Sequence, residues 1–316
     1  MKKGDEFQVA MVTDFNDVND NSFNQACYEG GKEWSSKNNI KFNYYKPAGV
    51  SLAEVAPKHP KVKFIGIDIS ESDFPTDFVL PDNLAIYNYH EEIAGYLAGY
   101  SVVKEGFTRL GYLGGMAAAQ VIRYGYGYIQ GIDAAAQELE TNIDVQYVYG
   151  GQFFGDSEIS KYVDNWYKVN KTEIVFSCGG SIYTSVALAA KENNGYMIGV
   201  DTDQAPIIDR DYKEGICITS AMKGIKQTVI DKLNEYYFDH IWNQGMNYLG
   251  LVSSENPELN FVQLALDHWR MKNFTIDDYK SLLKDIIDEK KVISSDISDY
   301  PKISEYTKVN YRGSIK

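Results

Sequence analysis

The chain has 316 residues, 44% of them hydrophobic, with a formal net charge of −13; that is more than one small core requires and suits two α/β lobes of ordinary size. A non-specific grip on phosphate backbones needs clustered Lys and Arg, and this chain has no long basic run, so nucleic acid is not expected as a partner and the acidity reads as a well-solvated surface. No apolar run reaches the roughly 18 residues that span a bilayer.

Residues 7–13 (FQVAMVT) are short, apolar and β-branched and end in polar residues, which predicts a buried strand of a parallel sheet. Phe23, Ala26, Cys27, Gly30 and Trp34 recur at helical spacing and predict a helix over 21–37. Strands follow at 42–45, 62–67 and 84–87, then a small-residue helix at 91–104 suited to close packing on a sheet. A second cycle opens with a strand at 109–113, a turn at Gly114-Gly115 and a long helix at 117–139. It continues with strands at 145–149, 174–177 and 197–200 and helices at 157–168 and 182–192. The remainder predicts a strand at 215–221, a helix at 223–238, a hairpin over 248–266 around Asn256-Pro257, and an amphipathic helix at 276–290. The polar tail from Ser294 reads as an extended arm. This rhythm implies parallel sheets built from right-handed βαβ units. The break near 105 divides it into a first lobe over 1–105, a second over 106–203, and a return over 204–316 that completes both.

The three cysteines, Cys27, Cys178 and Cys217, have no CxxC spacing and lie in apolar settings, which predicts free buried thiols. The four histidines are scattered, none at the i, i+4 spacing of a helical metal site, so neither metal nor cofactor is expected. Met1-Lys2-Lys3 is followed by Gly4-Asp5-Glu6 and not by an apolar stretch, so a secretory leader is not visible: the protein is cytoplasmic, or a leader has been removed.

In open α/β sheets ligands sit beyond the carboxyl ends of the strands. The richest such segment is TDFNDVNDNSFNQ (13–25). An Asx-rich turn capping the helix at Asn21 or Ser22 explains some of its polar residues, but not the aromatic Phe23 presented among so many donors and acceptors. An EF-hand does not fit, because the Gly and the terminal Glu are misplaced.

Asp14, Asn19-Asp20, Ser22-Phe23-Asn24-Gln25 and Glu29-Gly30 together resemble the signature of the basic membrane protein family, lipoprotein solute receptors. HPKVKFIGID (59–68), EEIAGYLAGY (91–100), LGYLGGM (110–116), CGG (178–180), IGVDTDQ (198–204) and TSAMK (219–223) follow in the right order. The resemblance covers 7 to about 240 and is specific in combination, though no single piece is.

The resemblance implies an α/β, two-lobed fold of the type I periplasmic-binding-protein kind, with the ligand in the interlobe cleft. It implies a monomeric, non-enzymatic receptor that delivers a purine nucleoside (adenosine, guanosine or inosine) to an ABC permease. It also implies a lipid anchor outside the cytoplasm. Phe23 and Phe154 match the two rings that sandwich the base, Phe153 being the weaker choice, and such stacking contributes on the order of 1–3 kcal/mol per base. Asp14 and Asn24 match positions at the polar edge of the base, Asp201 and Lys223 those that hold the ribose hydroxyls, and Gly179 and Gly180 the close approach of backbone to sugar. Plainer readings exist: Phe23 as a core residue, Asp14 as a loop cap, Lys223 as a helix-start surface lysine, and the glycines as a tight turn. Tyr89–Glu92 suggests a hinge more than a direct contact. The rival functions are the same fold binding a sugar or other small solute or signal, and a nucleoside hydrolase using Asp14, Asp17 and Asp20 on Ca²⁺.

The chain departs from the family after Tyr45-Lys46-Pro47, where a helix and an interior strand, about 35 residues, are absent. Either the neighbouring strands close the gap in a smaller lobe, or the numbering passes over residues of the molecule. The second is favoured because an interior strand is harder to lose, and a Cα step well above about 3.8 Å within 47–51 would show it.

Overall fold

The computed structural model describes residues 9–13, 17–46 and 51–316. The chain forms two compact units, Met1–Tyr89 with Gly224–Leu249, and His90–Lys223 with Gly250–Lys316. The helix at 91–105 belongs to the second unit, whereas the sequence rhythm puts it before the break.

The first unit contains β1 (Val9–Val12), α1 (Phe23–Lys37), β2 (Phe42–Tyr45), α2 (Leu52–Val55), β3 (Phe64–Ile67) and β4 (Leu84–Tyr89). The second unit holds α3 (Glu91–Glu105), β5 (Arg109–Gly114), α4 (Ala119–Leu139), β6 (Ile143–Tyr149), α5 (Ser157–Lys168), β7 (Ile174–Cys178), α6 (Tyr183–Asn193), β8 (Tyr196–Asp201), α7 (Ala205–Asp211) and β9 (Cys217–Lys223). The chain then returns to the first unit for α8 (Ile225–Asn234) and β10 (Gly245–Leu249), and ends in the second with β11 (Val262–Leu264), α9 (Ile276–Ile287) and β12 (Thr307–Ser314).

The strands of the first unit lie in two sheets: β1 pairs parallel with β2, and β10, β4 and β3 form a parallel three-stranded sheet. No ladder joins the two among the described residues. Val12, in a strand that reads as buried, is 59% exposed. Residues 47–50, where the sequence departs from the family pattern, lie outside the described residues, and with them the expected test of the Cα step. Helix α1 packs on α8 at Gly30, where a Cβ would come within 2.9 Å of the Lys226 carbonyl. Trp34, 2% exposed, locks the pair by donating from its indole N–H to Asn234 at 2.7 Å. A small core of Ala56, Leu84 and Ile86 underlies the three-stranded sheet.

The second unit is built on one seven-stranded sheet of order β11-β9-β8-β7-β5-β6-β12, parallel except for β11. Helices α3 and α4 approach through glycine: a Cβ at Gly95, Gly99, Gly127 or Gly131 would meet facing backbone carbonyl oxygen at 1.8–2.2 Å. The alternation of Gly and Tyr in EEIAGYLAGY and RYGYGYIQG (123–131) is therefore a backbone-contact seam, and the tyrosines it releases, Tyr124 and Tyr128, are fully buried against Phe176.

The expected hairpin over 248–266 does not form. β10 pairs parallel with β4, and β11 pairs antiparallel with β9. Each completes a sheet edge. The intervening loop is held by Asn260, whose Oδ1 accepts from the Val252 and Ser253 amides at 2.6 and 2.8 Å. The expected helix over 223–238 begins at Ile225, because Lys223 still belongs to β9, and ends in a π turn at Glu235–Asp239. The polar tail ends as β12, parallel to β6. All three cysteines are free thiols, with Cys27 only half-buried.

Candidate functional site

The carboxyl end of β1 leads into the polar loop. Asp14 lies outside the described residues. Asp20, 7% exposed, accepts from the amides of Ser22, Asn24 and Gln25 at 3.0–3.1 Å. It thus does the capping that sequence assigned to Asn21 or Ser22, and an acidic group there suits the helix N-terminus. Asp17 accepts from Lys46 Nζ at 2.7 Å and Tyr44 Oη at 3.0 Å; the lysine contact holds its carboxyl below the ordinary range. With these carboxylates so occupied, the loop's first helical turn presents Phe23, half-buried, and Asn24, 4% exposed.

The second unit gathers the other candidates at the carboxyl ends of its strands. After β6, Phe153 and Phe154 part company. Phe153 packs on Gly115 and Gly179, where added Cβ atoms would stand 2.5 and 2.9 Å from its ring. Phe154 is 52% exposed, with its backbone bridged to Ser181 and its carbonyl held by Gln152 Nε2 at 2.8 Å. After β7, Gly179 (φ 138°) and Gly180 (φ 54°) both occupy the left-handed region, which glycine enters without strain. Asp201 closes β8, also at positive φ (65°), a conformation that is costly for a side-chain-bearing residue and turns attention to the site. Lys223 closes β9, and its Nζ lies 3.3 Å from Asp201 Oδ1, both residues being buried.

The loop after β8 is locked by Gln204, whose Oε1 accepts from the Val200 amide at 3.0 Å while its own amide donates to Ser220 Oγ at 3.1 Å. The next acidic residue, Asp203, pairs with His268 Nδ1 at 2.5 Å. Sequence reasoning missed this support, and no local signal could have shown it across 65 residues. It also missed Tyr124, whose ring lies under the Lys223 ammonium at 5.6 Å. The structure therefore brings Phe154, Gly179, Gly180, Asp201 and Lys223 to one end of one sheet. Phe23 and Asn24 stand on the other unit. The plain reading of Lys223 as a surface lysine at a helix start is overturned, since it is 7% exposed at a strand end. Among the described residues no cluster of His, Cys, Asp and Glu could hold a metal ion, and no helix is long and apolar enough to cross a membrane.

Chemically, this end of the sheet combines a stacking surface with hydrogen-bond donors and acceptors. It offers an exposed ring, a buried acceptor and ammonium side by side, and glycine backbone open to close approach.

A family model for PnrA-like ABC transporter substrate-binding proteins matches residues 49–255. The chain is 26% identical to the ABC transporter nucleoside-binding protein BmpA of Lactococcus lactis over 335 aligned positions, covering 92% of this chain and 90% of that one. It is 24% identical to the CD4+ T-cell-stimulating antigen of Listeria innocua, covering 73% of each. A solute-binding protein of an ABC transporter system from Aeropyrum pernix shares the fold with a TM-score of 0.69 at 16% identity, covering 92% of this chain and 87% of that one. A second, from Conexibacter woesei, does so at 0.64 and 15%, covering 91% and 98%. The fold is thus the expected α/β type I periplasmic-binding-protein fold. The chain belongs to the Bmp family, the PnrA-like substrate-binding proteins of ABC transporters.

Proposed function

We propose that this substrate-binding protein takes up a purine nucleoside (adenosine, guanosine or inosine) and presents it to an ABC permease, working outside the cytoplasm as a lipid-anchored monomer. The observation that carries the reading is the second unit's pairing of an exposed, backbone-fixed Phe154 with a buried Asp201–Lys223 pair. A flat ring wants a flat partner, and a carboxylate beside an ammonium matches vicinal hydroxyls, which both donate and accept. By their match to the family's motif, Phe23, Asn24 and Asp14 are proposed as further ligand contacts. The nucleoside-binding description of the Lactococcus lactis relative supports the same ligand class.

Calorimetry with inosine, guanosine, adenosine, free hypoxanthine, ribose and glucose tests it. Nucleosides are expected to bind and ribose not to. Heat with glucose and none with any nucleoside overturns the assignment in favour of a sugar receptor; release of free base from inosine overturns it in favour of a hydrolase.

A further inference from the structure

A lysine that reads sugar hydroxyls must be held still. The separation of Nζ from Asp201 Oδ1 is 3.3 Å, longer than the roughly 2.7–2.9 Å of a strong charge-assisted hydrogen bond. The ammonium also lies over the ring of Tyr124, 5.6 Å from its centroid and within the roughly 6 Å over which a ring's negative face attracts a cation. We propose that Tyr124 is a positioning residue for Lys223: its ring helps to fix the ammonium beside Asp201 and so sharpens discrimination for the ligand's sugar hydroxyls. The ligand chemistry rests on the nucleoside reading; the placement of the lysine does not.

Three fixings make the ring a rigid plate. Its hydroxyl donates to the Ala221 carbonyl at 3.3 Å, two residues before Lys223 on the same strand. It stands nearly perpendicular to the ring of Phe176, with centroids 5.9 Å apart at 85°. Its backbone is pressed onto α3 at Gly95, where a Cβ would stand 2.0 Å from the Tyr124 carbonyl oxygen. The preceding residue, Arg123, is tied to the fully buried Glu91 of α3 at 2.6 Å, so the α3–α4 seam sets the register of the plate. Burial pushes the Tyr124 hydroxyl well above the ordinary phenol range, so the lysine faces a neutral ring. Cation–π attraction is larger where the pair is desolvated, and here the lysine is 7% and the tyrosine 1% exposed.

The test compares Tyr124→Phe, which keeps the ring, with Tyr124→Leu, which removes it, on the full chain. Calorimetry uses inosine and 2′,3′-dideoxyinosine. Tyr124→Phe is expected to bind inosine within about threefold of the parent, whereas Tyr124→Leu weakens inosine about tenfold and leaves dideoxyinosine within about threefold. Adding Lys223→Met to Tyr124→Leu costs little more, because the two act as one. Equal losses for both ligands in Tyr124→Leu, or full affinity for inosine, overturns the proposal. Should Tyr124→Leu not fold, proton NMR of the ligand-free parent decides. The Lys223 Hε signals, identified by their loss in Lys223→Met, are expected upfield of ordinary lysine and to stay so in Tyr124→Phe, and an unshifted position overturns the proposal. A parent that binds no nucleoside but keeps the upfield Lys223 signal overturns the ligand reading and leaves the positioning intact.

Discussion

The two units solve the same problem with different reserves. In the second, β7 is buried along its whole length and sits inside a seven-stranded sheet. In the first, β1 alternates half-buried and exposed residues and belongs to a two-stranded pair. An isolated two-stranded unit is marginal in water, and three or more strands with a covered face are needed for independent stability. Yet both units carry candidate ligand contacts, Phe23 and Asn24 on one, Phe154, Asp201 and Lys223 on the other. The lesson is that a loop can be fixed without a deep core: Asp20, with three amides on one carboxylate, holds the first unit's loop locally.

The largest expected effect breaks the stronger unit. Gly127→Val forces a Cβ to within 1.8 Å of the Glu92 carbonyl and should cost 3 kcal/mol or more, roughly the top of the range for overpacking. Gly30→Ala meets the Lys226 carbonyl at 2.9 Å and should cost about 1 kcal/mol. Thermal melts of the two variants read the difference, and a milder effect at Gly127 would contradict the seam. Next, amide exchange should be faster in β1 and β2 than in β5 and β7 by about a hundredfold or more, since local opening free energy tracks burial. Equal protection would mean that the first unit is stabilised as deeply as the second.

A smaller effect separates the two rings. Phe154→Ala should weaken nucleoside binding by about 1–3 kcal/mol with an unchanged melting temperature, because the side chain is half-exposed. Phe23→Ala should weaken binding similarly and also lower the melting temperature by a few degrees, about 1 kcal/mol, because Phe23 is partly packed in α1. A reversed pattern in the melts would exchange their structural roles. The smallest effect is a proton. His90 at the start of α3 contacts Glu92 at 2.8 Å, which raises its midpoint above the ordinary imidazole range, with Glu91 adding to the shift and Arg123 opposing it. A raised midpoint means that the bound proton favours the fold. The contribution is complete below the ordinary imidazole range and fades as pH rises through the raised midpoint. NMR titration should show Glu92→Gln lowering the midpoint; no change would remove Glu92 as its cause.

Much of this was legible in the residues, and the failures share a cause. The βα rhythm, the helix over 157–168 and the strand over 42–45 are written in local periodicity, and the structure has them at those bounds. β10 and β11 are short, and their ladders are with β4 and β9, far off in sequence, so nearness suggested a hairpin where there is none. The choice between Phe153 and Phe154 hangs on Gly115 and Gly179, which receive one ring and leave the other exposed. Tyr124 looked like one tyrosine among 25. Only the pairing of β9 with β8, which puts Lys223 beside Asp201, gives it a role.

The interleaving of the units also dictates an order of assembly on the ribosome, where chains emerge from the N-terminus and domains fold as units. A nascent chain that has cleared residue 223 already carries β5 to β9, the contiguous interior of the large sheet. β10, β11 and β12 come afterwards, and each takes an outermost position in its sheet. Late synthesis therefore never requires prising open a finished ladder. The three-stranded sheet nonetheless waits for β10 until about 160 further residues have been made, since Met246 lies against Ile86. During that interval the β4 edge stands open, with the unpaired backbone groups that invite wrong pairing.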